Sequence, residues 1–299
     1  MVAKQNLTAK KCLIRAALRH RKGDRTGALA DLNRSIELDP TVVDAYFGRG
    51  DIKRCLGDAA GAITDFTTAI QLNPKFVLAY ISRGNARRNA NDIQGAITDF
   101  NKAIKLDATS AAAYVGRGMA RSQAGIAGAI DDFNKALSLD PKSPEAFFGR
   151  AFTHSGMGDM AAAISDFTKA IQINPRHAMA FMLRGEAFRA VGESDKAIDD
   201  MTKAIKLGVP DWAHAYGQRG AERLKKGDLK GAVADSDKAI ASDPKLAIAY
   251  LGRGTAHVGL GNVQKAIADL TLAVKLDSSL KTLAQPLLRM ARRSPAKNK

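Results

Sequence analysis

A chain of 299 residues that is 45% hydrophobic and 25% charged is large enough to bury a core and is not composed like a disordered polypeptide. Aromatic residues make up only 6%, alanine is abundant, and no stretch approaches the roughly 18 apolar residues of a membrane span, so an all-α fold is favoured over a sheet or a membrane bundle. The net charge of +16 is concentrated at the ends, +7 in residues 1–25 and +6 in residues 281–299, which leaves the body nearly balanced and makes a nucleic-acid partner unlikely.

Residues 1–8 form an N-terminal extension. The apolar run at 12–18 is interrupted by Arg15 and followed by His20 to Lys22 without a small-residue cleavage pattern, so it does not read as a signal peptide and the chain reads as cytoplasmic. Cys12 and Cys55 lack a CxxC motif or a histidine cluster, which argues against a disulfide framework and against zinc.

From Ala9 onward the chain matches itself at a shift of 34 residues. The units run 9–42, 43–76, 77–110, 111–143, 144–177, 178–212, 213–246 and 247–280; residues 281–293 then read as a capping helix and 294–299 as a basic tail. In the unit from Val43, two helical stretches are separated by Gly57-Asp58 and closed by Asn73-Pro74. Glycine suits the left-handed end of one helix, aspartate the cap of the next, and proline the stop. The second stretch carries Ala62, Ile63, Phe66, Ala69 and Ile70 at helical spacing.

Columns recur through the units. Ala28, Ala62, Ala96, Ala129, Ala163, Ala197, Ala232 and Ala266 form one, and Leu32, Phe66, Phe100, Phe133, Phe167, Met201 and Leu270 form another, which Ser236 breaks. The seventh unit is therefore expected to be the weakest. An arginine recurs on every first helix, from Arg15 to Arg253, and an aspartate on every second helix, from Asp31 to Asp269, the pattern of a bidentate ion-pair ladder.

Eight such units, with an opening Tyr or Phe, a central Gly, an Ala twelve residues later and a closing Asp-Pro or Asn-Pro, resemble the tetratricopeptide repeat family. The resemblance implies a right-handed superhelical solenoid of antiparallel helix pairs whose first helices line a concave groove. It further implies a scaffold that binds a peptide or helical segment of a partner protein and needs no cofactor. The residues it places on the groove are Phe47, Asp51 and Arg54; Ile81, Asn85 and Arg88; Val115 and Met119; Phe148 and Phe152; Met182, Glu186 and Arg189; and Leu251, with Gly217 as a gap. This row is expected to be separable from the core column, and its Arg-edged apolar character suits an amphipathic or acidic-apolar segment.

The Lys, Asn and Arg clamp by which some family members hold a C-terminal carboxylate is not supplied, since Leu13, Phe47 and Ile81 occupy the lysine row. Trp212 is expected to plug the elongated sixth junction. His20, His154, His177, His214 and His257 are dispersed, with no HExxH and no nucleophile turn, so catalysis is not expected. The alternatives are a nucleic-acid-associated helical repeat using the basic termini and a self-assembling scaffold, the latter compatible with a homo-oligomer.

Overall fold

A computed structural model describes residues 8–210 and 212–293, so the proposed tail and all but the last residue of the N-terminal extension lie outside the described residues. Two compact units divide the chain, residues 1–149 and 150–299. In the first, helices pair as α1 (Ala9–Arg21) with α2 (Arg25–Leu38), α3 (Val43–Cys55) with α4 (Ala59–Leu72), α5 (Val77–Asn89) with α6 (Ile93–Leu106), and α7 (Ala111–Gln123) with α8 (Ala129–Leu139). Helix α9 (Pro144–Gly156) carries the division between units. The second continues with α10 (Met160–Ile173), then pairs α11 (Ala178–Ala190) with α12 (Ser194–Leu207), α13 (Trp212–Lys225) with α14 (Leu229–Ser242), and α15 (Ala247–Gly259) with α16 (Val263–Leu276), ending in α17 (Lys281–Arg293). The described residues contain no strand.

In five hairpins the turn follows from two residues, a left-handed one and a capping aspartate. Gly57 adopts φ 84°, a left-handed conformation that a side chain would strain, and lets the chain leave α3. Asp58 then caps α4, its carboxylate accepting from the Gly61 amide at 2.8 Å. Asp24, Asp92, Asp159 and Asp228 repeat the cap at 2.8–3.0 Å. In the shortened unit the turn is remade by Gly125 and Gly128, both left-handed, and α8 keeps only 11 residues where the other second helices have 14.

Within the first unit Phe66, Phe100 and Phe133 are fully buried, as are Phe167, Met201 and Leu270 in the second. Each such side chain contributes about 1.5–3 kcal/mol by leaving water. Close approach is what makes room for them: a Cβ on Gly116 would lie 2.2 Å from the Phe100 ring, so α7 can cross α6 only with glycine there. Neighbouring first helices touch one another in sequence, α1 to α3 to α5 to α7 in one unit and α11 to α13 to α15 in the other, whereas successive second helices make no comparable contact. The first helices are thus the closely spaced layer of each unit. At the end of the second unit, α17 lays Ala284, Leu287 and Leu288 against the cluster around Leu251, Leu270 and Ala273. Val209, 1% exposed, fills the sixth junction, while Trp212 is 46% exposed and packs 6.4 Å from Tyr216; the plug is valine and not tryptophan, because the smaller side chain fits the tight Gly208 turn.

Candidate functional site

The arginine and aspartate columns meet in every helix pair. Nε and Nη2 of Arg49 donate to the two oxygens of Asp65 at 2.9 and 2.6 Å, and the same fork joins Arg83 to Asp99, Arg184 to Asp200, Arg219 to Asp235 and Arg253 to Asp269. Arg15–Asp31, Arg117–Asp132 and Arg150–Asp166 complete the set. These aspartates are at most 6% exposed. The arginine's remaining nitrogen reaches back to the preceding second helix: Nη1 of Arg49 donates to Asn33, of Arg83 to Thr67, of Arg117 to Asn101 and of Arg253 to Asp237, at 2.6–3.1 Å. Six guanidiniums, those of Arg49, Arg83, Arg117, Arg184, Arg219 and Arg253, thus stitch one helix pair to the preceding one and lie 5.4–5.7 Å over the opening aromatic ring, as Arg83 does over Tyr80. The hydrogen bond to Asp65 raises the pKa of Arg49 further, and Asp269 does the same for Arg253.

A second cation on the same aspartate escaped the sequence reading. Lys53 approaches Asp65 at 2.9 Å, Arg87 Asp99 at 2.8 Å, Arg121 Asp132 at 2.8 Å and Arg223 Asp235 at 2.9 Å. Its signal was present as a cation four residues after the ladder arginine, one turn along the same face. These columns are internal scaffolding, and the residues that the sequence assigns to the groove lie elsewhere on the first helices.

On the first unit that face carries Phe47, Asp51 and Arg54 from α3, Ile81, Asn85 and Arg88 from α5, Val115 and Met119 from α7, and Phe148 from the opening of α9. Phe47 is half-buried, its ring 5.6 Å from Phe66 and 5.0 Å from Phe76. At Phe47, therefore, row and core column touch, and this side chain is not separate from the core in the way the row was expected to be. Phe47 and Asp51 also border a cleft of about 220 Å³ between α1 and α3. On the second unit Phe152, 46% exposed, follows in α9, with Met182, Glu186 and Arg189 on α11 and Leu251 on α15. Ile81, Met182 and Leu251 are more than nine-tenths buried. Leu78 and Ile248, three residues before two of them, are about half exposed and carry the accessible apolar surface.

The charges on this face are unequal in standing. Arg54 donates to Asp51 at 2.7 Å, and His214 meets Glu186 at 2.8 Å. Arg88 and Arg189 have no carboxylate, and the buried Nε of each lacks a hydrogen-bond partner among the described residues. Burial without a counterion pushes the Arg88 pKa down. No group of His, Cys, Asp and Glu among the described residues is arranged to hold a metal, and no described helix is long and apolar enough to cross a membrane.

The tetratricopeptide repeat family model matches residues 54–112, 81–144, 153–210 and 218–280, most of the chain. The chain belongs to the tetratricopeptide repeat family. It is in general terms a protein-interaction scaffold, of a family whose members are generally non-enzymatic. Solved structures share the fold. A tetratricopeptide repeat protein from Parabacteroides merdae superimposes with a TM-score of 0.62 at 21% identity, over 83% of this chain and 98% of that one. The Cut9-Hcn1 hetero-tetramer of APC/C gives 0.65 at 16% identity, covering 94% of this chain and 55% of the other. PilW, a type IV pilus biogenesis factor, gives 0.60 at 21%, over 65% and 91%. A search of curated proteins found no match.

Proposed function

We propose that the chain binds a segment of a partner protein in which acidic and apolar residues alternate, laid across its first helices. The observation that carries this reading is an uncompensated guanidinium in each unit, Arg88 on the helix of the exposed Leu78 in the first and Arg189 in the second, which also exposes Ile248. A charge without a counterion is unfavourable where it is half-buried, and a partner carboxylate meeting the accessible end of the guanidinium answers it. The ladder arginines offer no such opening, since their forks are filled from within.

A peptide array tests it. Amphipathic peptides carrying glutamate between apolar anchors are expected to be captured in a salt-sensitive manner, and matched peptides carrying lysine are not. Arg88→Gln or Arg189→Gln should weaken capture roughly tenfold or more, as expected for a lost charge-assisted hydrogen bond, without lowering the melting temperature. Equal capture of the two peptide classes, or unchanged affinity in both variants, overturns the reading.

A further inference from the structure

The seventh helix pair lacks a large side chain at two places where other pairs carry one. Ser236 on α14 stands in the column of Phe66, Phe100, Phe133 and Phe167, and Gly217 on α13 stands in the row of Phe47, Ile81, Met182 and Leu251. The consequences are metric. A Cβ on Gly149 would come within 2.4 Å of the Phe133 ring, whereas one on the matching Gly252 would first meet the Ser236 hydroxyl at 3.4 Å. A Cβ on Gly217 would meet nothing within 4 Å. The two deletions merge into a cavity of about 350 Å³ between α13 and α15, walled by Leu224, Leu246 and Leu251 and bordered by His214 and Gln218.

That volume is within the range of small-ligand sites and above the roughly 150 Å³ at which an engineered apolar cavity accepts benzene. Its interior is not wholly apolar. Ser236 lines it, is only 4% exposed, and its hydroxyl has no hydrogen-bond partner among the described residues. This hydroxyl opens onto the cavity and would be desolvated by an apolar occupant, so an occupant with an apolar body and a polar tip fits better than a hydrocarbon. The missing group is phenylalanine-sized, and an aromatic ring entering from the first-helix side would bring its far end to Ser236.

We propose that this cavity takes a tyrosine side chain of a partner protein, its ring replacing the absent phenylalanine and its phenolic hydroxyl pairing with Ser236 Oγ. This deepens the interaction reading above and rests on it for the occupant's being part of a protein. Tyrosine is amphipathic and loses few rotamers on docking, which suits it to anchor a chain in such a place.

The test uses the full chain and follows backbone amide shifts with p-cresol, toluene and the peptides Ac-Gly-Tyr-Gly-NH2 and Ac-Gly-Phe-Gly-NH2. Millimolar p-cresol is expected to shift amides of α13, α14 and α15 and to bind roughly fivefold more tightly than toluene, the preference of one neutral hydrogen bond. The tyrosine peptide should displace p-cresol better than the phenylalanine peptide. Ser236→Ala should keep toluene binding and lose the preference. Ser236→Phe and Gly217→Leu, which fill the cavity from opposite sides, should abolish binding of every probe. Equal affinity for p-cresol and toluene in the wild type, binding that survives both filled variants, or a tyrosine peptide that fails to compete overturns the proposal. A tyrosine peptide that competes while the glutamate peptides are ignored retires the Arg88 and Arg189 reading and leaves the cavity standing.

Discussion

Asp99→Ala removes the acceptor from the most enclosed part of the ladder in the first unit. Asp99 is 2% exposed and receives Arg83 Nε at 2.9 Å, Arg83 Nη2 at 2.6 Å and Arg87 Nη1 at 2.8 Å. Arg83 cannot escape to water when its partner is lost, because Thr67 still holds its Nη1 at 3.1 Å, Tyr80 lies against it at 5.7 Å, and its side chain is only 12% exposed. The variant therefore strands a buried guanidinium, for which a loss of about 3–5 kcal/mol is typical, against about 0.2–1 kcal/mol for an exposed pair. Urea titration followed by circular dichroism supplies the midpoint. Hydrogen exchange on α5 and α6 keeps the measurement local, since a repeat array need not unfold in one step. Asp99→Asn, which retains one carbonyl acceptor, should fall between wild type and Asp99→Ala. A loss under about 1 kcal/mol for Asp99→Ala would mean that the ladder is an ornament of the surface and would refute the reasoning.

Phe100→Ala, emptying a fully buried site, should lose about 3–5 kcal/mol by urea titration. Phe47→Ala should also destabilise, by less, because its half-buried ring packs on Phe66 and Phe76; an unchanged melting temperature would return Phe47 to a purely partner-facing role. Gly116→Ala drives a methyl to 2.2 Å from Phe100 and should destabilise by about 1–3 kcal/mol, whereas the same change at Gly217, with nothing within 4 Å, should be neutral or better by differential scanning calorimetry. Burial lowers the His257 pKa below its ordinary 6.5, so the unfolded chain binds more protons than the folded one just below that pH. Stability should then fall as pH drops from 6.5 through the depressed folded value and be insensitive to this group above 6.5; His257→Gln should flatten that slope, and an unaltered slope would exclude His257 as its source.

The fold was legible because a repeat states its packing rules many times. Glycine at the turn, aspartate at the cap and phenylalanine opposite glycine recur at one spacing, so local propensity and tertiary contact point the same way. The ladder was legible for the same reason, since eight arginines changing places with nothing imply eight fixed partners. Burial along the first helices was less so. Ile81, Met182 and Leu251 belong to a row whose spacing marks one helical face, but spacing does not report how near the neighbouring helices lie. The sixth junction shows the same limit: composition drew attention to Trp212, while the smaller Val209 is the residue that fits.

What a repeat keeps constant is what every neighbour requires, and the exceptions acquire meaning against that background. Arg54 has Asp51 and the ladder arginines have their aspartates, so Arg88 and Arg189 stand out by lacking what similar residues possess. Ser236 and Gly217 stand out in the same manner, each giving up apolar burial that other helix pairs retain. Together they leave a cavity, which is a source of instability unless something fills it. If the chain gained nothing from that space, Ser236→Phe would stabilise it at no expense to binding. The value of that one variant is that the melting temperature and the probe titration, read on the same sample, separate a defect tolerated by the array from an opening that a partner completes.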